Sequence, residues 1–283
     1  MRISVIIPFY NAQRTIEKCA EALLGQTYSE NEYEIIMIDN NSRDASAEIV
    51  KRYPRIQLVS EEKQGAYAAR NKGLKKARGQ IIAFTDPDCI PSDDWLEKIA
   101  SALEHSRIGI VIGSRKSLHG SSILSMLEAY EHEKNDYVFR SKIKEIYFGY
   151  CNNMAVRKEL LDEVGPFVER PRGSDTIFIR RAVEEYSSDI VRYVPDIWVR
   201  HMEIDRISRL YQKFFIYGRS RKKFEHIAYA RPLTNRERFI VFRRTIKHNR
   251  YSLMKSSLLF GSLAVGLVFW VSGAASAAWS SRQ

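Results

Sequence analysis

Short apolar runs alternate with amphipathic stretches through the first hundred residues. Ile3 to Pro8 predicts a strand, and "AQRTIEKCAEALLGQ" predicts a helix with Ile16, Ala20, Leu23 and Leu24 on one side. "YEIIMID" is a second strand, Asp44 to Tyr53 a second helix, Ile56 to Ser60 a third strand, Ala66 to Ala77 a third helix and Gln80 to Thr85 a fourth strand. Strands of about five residues separated by helices of about ten predict βαβ units on a parallel sheet, where ligands gather at the carboxyl ends of the strands. Pro91 to Gly113 continues with a helix and a strand, and residues 121 to 140 form a long helix. "GYCNNMAVRKELLDEVGPF" is a short strand, a helix beginning near Arg157 and a turn at Gly165-Pro166. "RGSDTIFIRRAVEEY" is a further helix with Ser174 and Asp175 in its first turn. The fold class is α/β, a Rossmann-like, mostly parallel sheet flanked by helices.

Three strand ends carry small polar or acidic residues at the edge where a ligand would gather: "PFYN", "DNNSRD" and "TDPDC". The last puts Asp86 and Asp88 one residue apart after an apolar strand. Asp and Pro are ordinary turn residues, but two neighbouring carboxylates at a ligand edge also suit a hard divalent cation, Mg²⁺ or Mn²⁺. Such an ion neutralises a departing diphosphate. Asp39, ending the second strand, can accept a hydrogen bond from a pyrimidine N–H. "GAYAARNKG" puts Arg70 and Lys72 at the opening of a helix, where phosphate is favoured. Neither G-x-G-x-x-G nor G-x-x-x-x-G-K-[ST] occurs, so a dinucleotide fingerprint and a P-loop are excluded. A nucleoside diphosphate bearing a transferable group fits this set.

"SVIIPFYN", "IDNNSRDAS", "GAYAARNKG" and "FTDPDC" together resemble the family 2 glycosyltransferases, whose fold is GT-A, over roughly residues 2 to 225. The resemblance implies that Pro8, Phe9, Tyr10, Asn11, Asp39 and Asn41 contact the nucleoside. It puts Gly65 and Arg70 on the diphosphate side, Asp86 on the ribose or the metal, and makes Asp88 the main metal ligand. The family's acidic pair facing the acceptor is Ser174-Asp175 here, leaving Asp175 as the catalytic base without an accessory carboxylate; the plain alternative is a helix N-terminal aspartate held by the dipole. "PDIWVRHMEI" resembles a segment that supplies a metal-binding histidine, His201, which can equally be a structural residue. "YQKFFIYGRSRKKF" is similar to the family's basic-aromatic helix and departs from the Q-x-x-R-W of processive synthases. Its Arg219 and Arg221 suit a diphosphate, a lipid head group or a solvated face.

The implied reaction is inverting, metal-dependent transfer of a sugar from a nucleotide diphosphate sugar, UDP-linked by the match at Asp39, to a hydroxyl or lipid-linked acceptor. A polyprenyl-phosphate acceptor, or a degenerate nucleotide-sugar-binding membrane protein, are the alternatives. The expected organisation is a glycosyltransferase domain over 1–225, with a donor half (1–115) and an acceptor half (116–225), a basic segment over 226–255 and a transmembrane helix over 256–279.

Composition enters through charge and the C-terminal end. The 283 residues are 45% hydrophobic and 28% charged, as in ordinary globular proteins, with a net charge of +11. Between Arg200 and Lys255 sixteen Lys or Arg face four Asp or Glu, a net of +12, so the remainder stands at −1. Ser256 to Ser281 then holds no charged residue. As a helix, that stretch would be roughly 39 Å long, enough to cross a ~30 Å hydrocarbon core. Basic residues crowd its N-terminal side, which predicts a single-pass cell-membrane protein with its catalytic domain in the cytoplasm, and the family resemblance implies a membrane-anchored member of bacterial type. Anionic lipid accounts for the basic segment, so nucleic acid is not an expected partner. The three cysteines, Cys19, Cys89 and Cys151, are widely spaced and suit a reducing compartment rather than a disulfide framework.

Overall fold

The computed structural model describes residues 2–104, 107–117, 122–204, 206–223 and 230–280. In chain order the elements are β1 (Ile3–Phe9), α1 (Ile16–Leu24), β2 (Tyr33–Asp39), α2 (Ser46–Lys51), β3 (Ile56–Ser60), α3 (Ala66–Leu74), β4 (Ile81–Thr85), β5 (Cys89–Pro91) and α4 (Trp95–Ala102). There follow β6 (Ile110–Ser117), α5 (Ser122–Arg140), β7 (Asn153–Arg157), α6 (Lys158–Val164), α7 (Ser174–Glu185), β8 (Val191–His201), α8 (Ile207–Lys223), α9 (Asn235–Asn249) and α10 (Leu253–Ser280). The chain divides into two compact units, one of Met1–Lys116 with Lys142–Met202 and the other of Ser117–Ser141 with Glu203–Gln283.

The first unit is built on an eight-stranded sheet of order β3-β2-β1-β4-β7-β6-β8-β5. The expected parallel pattern holds for β3-β2-β1-β4, in register Ile3↔Tyr33, Asp39↔Ser60 and Ile3↔Ile81. The rest makes the sheet mixed: β7 runs antiparallel to β4, β6 antiparallel to β7, and β5 antiparallel to β8. A strand buried on both faces is apolar throughout and reads alike in either direction, so its sequence carries no sign of its sense.

All seven residues of β1 are buried, as befits a central strand. Ile3, Val5 and Ile7 point to the face covered by α1 and α4, packing with Ile16, Cys19, Leu23, Trp95 and Ile99. The opposite face carries α3. A Cβ at Gly73 would lie 2.7 Å from Ile6 Cγ2 and 2.9 Å from Ile38 Cδ1, so glycine lets α3 press onto β1 and β2. On that face Phe167 sits 5.4 Å from both Phe84 and Phe178 and 5.7 Å from Tyr67, ring centre to ring centre. Burying one such ring stabilises by about 1.5–3 kcal/mol, and this cluster ties β4, α3 and α7 together.

The second unit contains α5, α8, α9 and α10. Its core is Met126, Leu127 and Leu259, with Ile207, Leu210, Phe242 and Leu263 packed against them. Half of the expected basic segment is α9, opened by a capping box in which Thr234 and Glu237 satisfy each other's backbone N–H. The boundary expected between 225 and 226 lies outside the described residues. α10 contains the expected crossing segment up to 279 and is long and apolar enough, over Leu253–Ala278, to cross a membrane. It lies against α8 at backbone distance: a Cβ at Gly218 would fall 1.9 Å from the Trp270 carbonyl oxygen, and one at Gly273 2.0 Å from that of Phe215.

Candidate active site

The ends of β1, β2 and β4 meet as their sequences suggest. Phe9 pairs in register with Asp39. Pro8 and Phe9 are buried, whereas Tyr10 and Asn11 emerge to solvent. Asn11 adopts the left-handed region (φ 49°), a conformation asparagine tolerates. Its N–H donates to Ser42 Oγ (3.0 Å) and its Oδ1 accepts from the Arg43 N–H (2.8 Å), locking the two loops together. Asp39 Oδ1 accepts from the Ser42 N–H at 3.0 Å. Asn41, also left-handed at φ 67°, donates to the Glu62 carbonyl at 2.6 Å.

Asn40 lies between these residues and was not singled out from the sequence. It is buried, donates to the carbonyls of Glu61 (2.9 Å) and Lys63 (2.8 Å), and accepts from the Gly65 N–H at 2.7 Å. Its side chain shapes the entry to α3. Gly65, at φ 140°, occupies a conformation that side chains disfavour. α3 begins at Ala66, so Arg70 and Lys72 lie past its first turn and do not stand at the helix opening as expected.

Arg70 points back across the sheet end. Its Nη2 meets Asp86 Oδ1 at 2.6 Å, and its guanidinium lies 5.2 Å from the Tyr67 ring centre. Burial pulls the arginine pKa down, but Cys151, Asp86, Tyr67 and Asp175 around it raise it further, so it stays cationic. Asp175 stands in the first turn of α7, after Gly173 at φ 81°. Its Oδ1 accepts from the Thr176 N–H at 2.8 Å, and its own N–H approaches Tyr67 Oη at 3.5 Å. Burial raises the Asp175 pKa, against the opposing pull of the Thr176 N–H, Arg70, Tyr67 and the Cys151 N–H. Tyr67 and Cys151 thus belong to this cluster, though neither stood out in the sequence. Ser174 is fully buried, and its hydroxyl has no hydrogen-bond partner among the described residues.

Asp88 has a different partner from Asp86. β5 pairs with β8 so that Cys89 faces His201, and the Met202 N–H donates to the Asp88 carbonyl at 2.8 Å. This brings His201 Nδ1 to 3.4 Å from Asp88 Oδ2. Donor atoms of Asp88, Cys89 and His201 all lie within 4.8 Å of one another. Burial first, then the charges of Asp88 and Asp86, push the Cys89 thiol pKa well up. The carboxylate oxygen and imidazole nitrogen, with the thiol beside them, form a donor set that fits a divalent ion such as Mn²⁺.

Residues 4–165 match the family model described as "Glycosyl transferase family 2". The chain is 33% identical over 188 residues to glycosyltransferase AglE of Haloferax volcanii, covering 64% of this chain and 61% of that protein. It is 30% identical over 172 residues to the UDP-Glc:alpha-D-GlcNAc-diphosphoundecaprenol beta-1,3-glucosyltransferase WfgD of Escherichia coli, covering 59% and 65%. The chain therefore spans less than two thirds of the length of these relatives. Among solved structures, mannosyltransferase PcManGT of Pyrobaculum calidifontis, in complex with GDP-Man and Mn²⁺, superposes with a TM-score of 0.66 at 20% identity, covering 99% of this chain and 87% of that one. That likeness is one of fold.

Proposed function

The chain belongs to glycosyl transferase family 2, and from that premise we propose an inverting, metal-dependent transfer of a sugar from a nucleotide diphosphate sugar to a hydroxyl acceptor. The observation that carries this reading is the convergence, within one compact unit, of Asp175 on the Arg70–Asp86 pair and of His201 on Asp88. Asp175 would take the proton from the acceptor oxygen as that oxygen attacks the sugar's anomeric carbon; the carbon–oxygen bond to the diphosphate breaks with inversion. Its raised pKa brings it closer to a working base than an exposed aspartate. Pro8, Phe9, Tyr10, Asn11, Asp39, Asn41 and Gly65 would line the nucleotide side, with Asn40 holding the Gly65 turn. Arg70 would hold Asp86 aimed at the ribose. Asp88 and His201 would hold the divalent ion, whose charge, when bound, stabilises the leaving diphosphate.

The donor half is proposed over 1–115 and the acceptor half over 116–225. UDP-linked donors follow from the position of Asp39, and WfgD, which by its name uses UDP-Glc and a lipid-linked acceptor, supports the same class. The apolar α10 suits work at a membrane, and the basic residues before it favour the cytoplasmic leaflet.

The test is nucleotide release by the full chain offered UDP-Glc, UDP-GlcNAc and GDP-Man with Mn²⁺ and simple glycan acceptors. Asp175→Asn should lower turnover by about 10²–10⁴-fold while the protein stays folded. Asp88→Ala should abolish both turnover and the melting-point rise that Mn²⁺ with nucleotide produces. Near-parental turnover in either variant refutes that residue's role. Retention by Asp175→Asn alone points to a polyprenyl-phosphate acceptor, which needs little base.

A further inference from the structure

α8 and α10 run side by side in the same direction. Tyr211 Oη donates to the Ser262 carbonyl at 3.1 Å, and its ring stacks 5.3 Å from Phe269. Further along, Gly266 meets Phe214, Gly218 meets the Trp270 backbone, and Gly273 meets Phe215 and the Arg219 N–H. The contact numbers rise together, so α8 accompanies the middle of α10 from Tyr211 to Arg219. Gly218 and Gly273 let the backbones touch, and Gly266 makes room for the Phe214 ring, which makes the pairing close.

That pairing bears on how α10 meets a bilayer. Were α10 to cross upright, α8 would be carried in with it. Lys213 would lie near mid-membrane, between the levels set by Tyr211 and Gly218, and Arg219 would travel to the level of Gly273. Lys213 is paired with Glu203 at 3.3 Å, so a carboxylate would be drawn in as well. Charges at that depth are strongly disfavoured. Meanwhile the side of α10 away from α8 is apolar and open: Leu253 is 85% exposed, Phe260 65%, Val268 63% and Val271 52%. Cations flank it in sequence and in the same unit, with Arg219 exposed on α8, Arg236, Arg243 and Lys247 exposed on α9 and Arg250 just past its end, and with Phe239 exposed on α9.

We propose that α8 and α10 form a two-helix raft lying in the plane of one leaflet, with the open face of α10 at the acyl boundary and the cations of α8 and α9 on anionic head groups. An open apolar helix face together with exposed lysines and arginines in the same unit is the chemistry that an anionic bilayer surface complements. The raft replaces the upright crossing expected from the sequence and does not depend on the catalytic assignment.

The test uses the full chain with Ser252→Cys or Gln283→Cys, one at each end of the segment. The native cysteines are buried, which keeps the background low. In spheroplasts of an expressing bacterium, both positions should resist a membrane-impermeant maleimide until the membrane is opened, and then label alike. Labelling of Gln283→Cys but not Ser252→Cys in intact spheroplasts would mean an upright crossing and overturn the raft. The purified chain should also sediment with phosphatidylglycerol vesicles at least tenfold more strongly than with phosphatidylcholine vesicles. If it stays in solution with both and runs as a dimer in the ultracentrifuge, a second copy covers the face and the proposal falls.

Discussion

Asp175 is a carboxylate held against its own preference. Burial lifts its pKa in the folded chain, and the Thr176 N–H, Arg70 and Tyr67 only partly reverse that. An unfolded aspartate titrates near about 3.9. The penalty is therefore absent below that pH, grows as pH rises towards the raised folded value, and is complete above it. Asp175→Asn should raise the melting temperature at about pH 7 and lose that advantage near about pH 3, even as transfer is lost. A lower melting temperature at neutral pH would mean that hydrogen bonds to the carboxylate outweigh its burial. The two acids of "DPD" were legible as a pair in the sequence, but their separate partners were not. Asp86 is answered by Arg70 from α3 and Asp88 by His201 from β8, and only the folded chain brings these together. Asn40 and Tyr67 escaped because their roles are contacts to loops and backbone that no spacing encodes.

Among the elements, β1 to β4 were legible because each is a short apolar run bounded by polar turns. β5 was not, since "CIP" is too short for any period to appear, yet its pairing with β8 positions His201. α9 carries its start signal openly in Thr234-x-x-Glu237. Arg231 clasps Glu237 with two bonds of 2.8 Å, which, together with Thr234, holds the carboxyl at about 2 against an ordinary 4.5. That stabilisation is full above the ordinary value and is lost as pH falls towards about 2. Thr234→Ala should destabilise the second unit by ~1 kcal/mol in denaturant melts; an unchanged midpoint would mean that α9 holds without its cap. The α8–α10 pair was invisible in sequence, where α10 read by itself as a span. Each lysine or arginine carried to the membrane centre would oppose insertion by about 2.5–3.5 kcal/mol, which is why the neighbour matters more than the apolar run.

Across the whole molecule the charge is lopsided: residues 200–255 hold more than the full net charge of +11. Counter-ions screen such a surface within ~10 Å at 0.1 M salt, whereas an apolar face is indifferent to them. Raising salt from about 0.05 to about 0.5 M should weaken binding to anionic vesicles without releasing the chain completely. Complete release would leave α10 without a part in adhesion.

The pairing of Cys89 with His201 has a consequence for the life of the chain as well. Asp88 is made early in synthesis and His201 late, so under the proposed function a ribosome-bound intermediate would own half of the ion's seat. On that reading, competence to spend an activated sugar would arrive only once the eighth strand has emerged and docked.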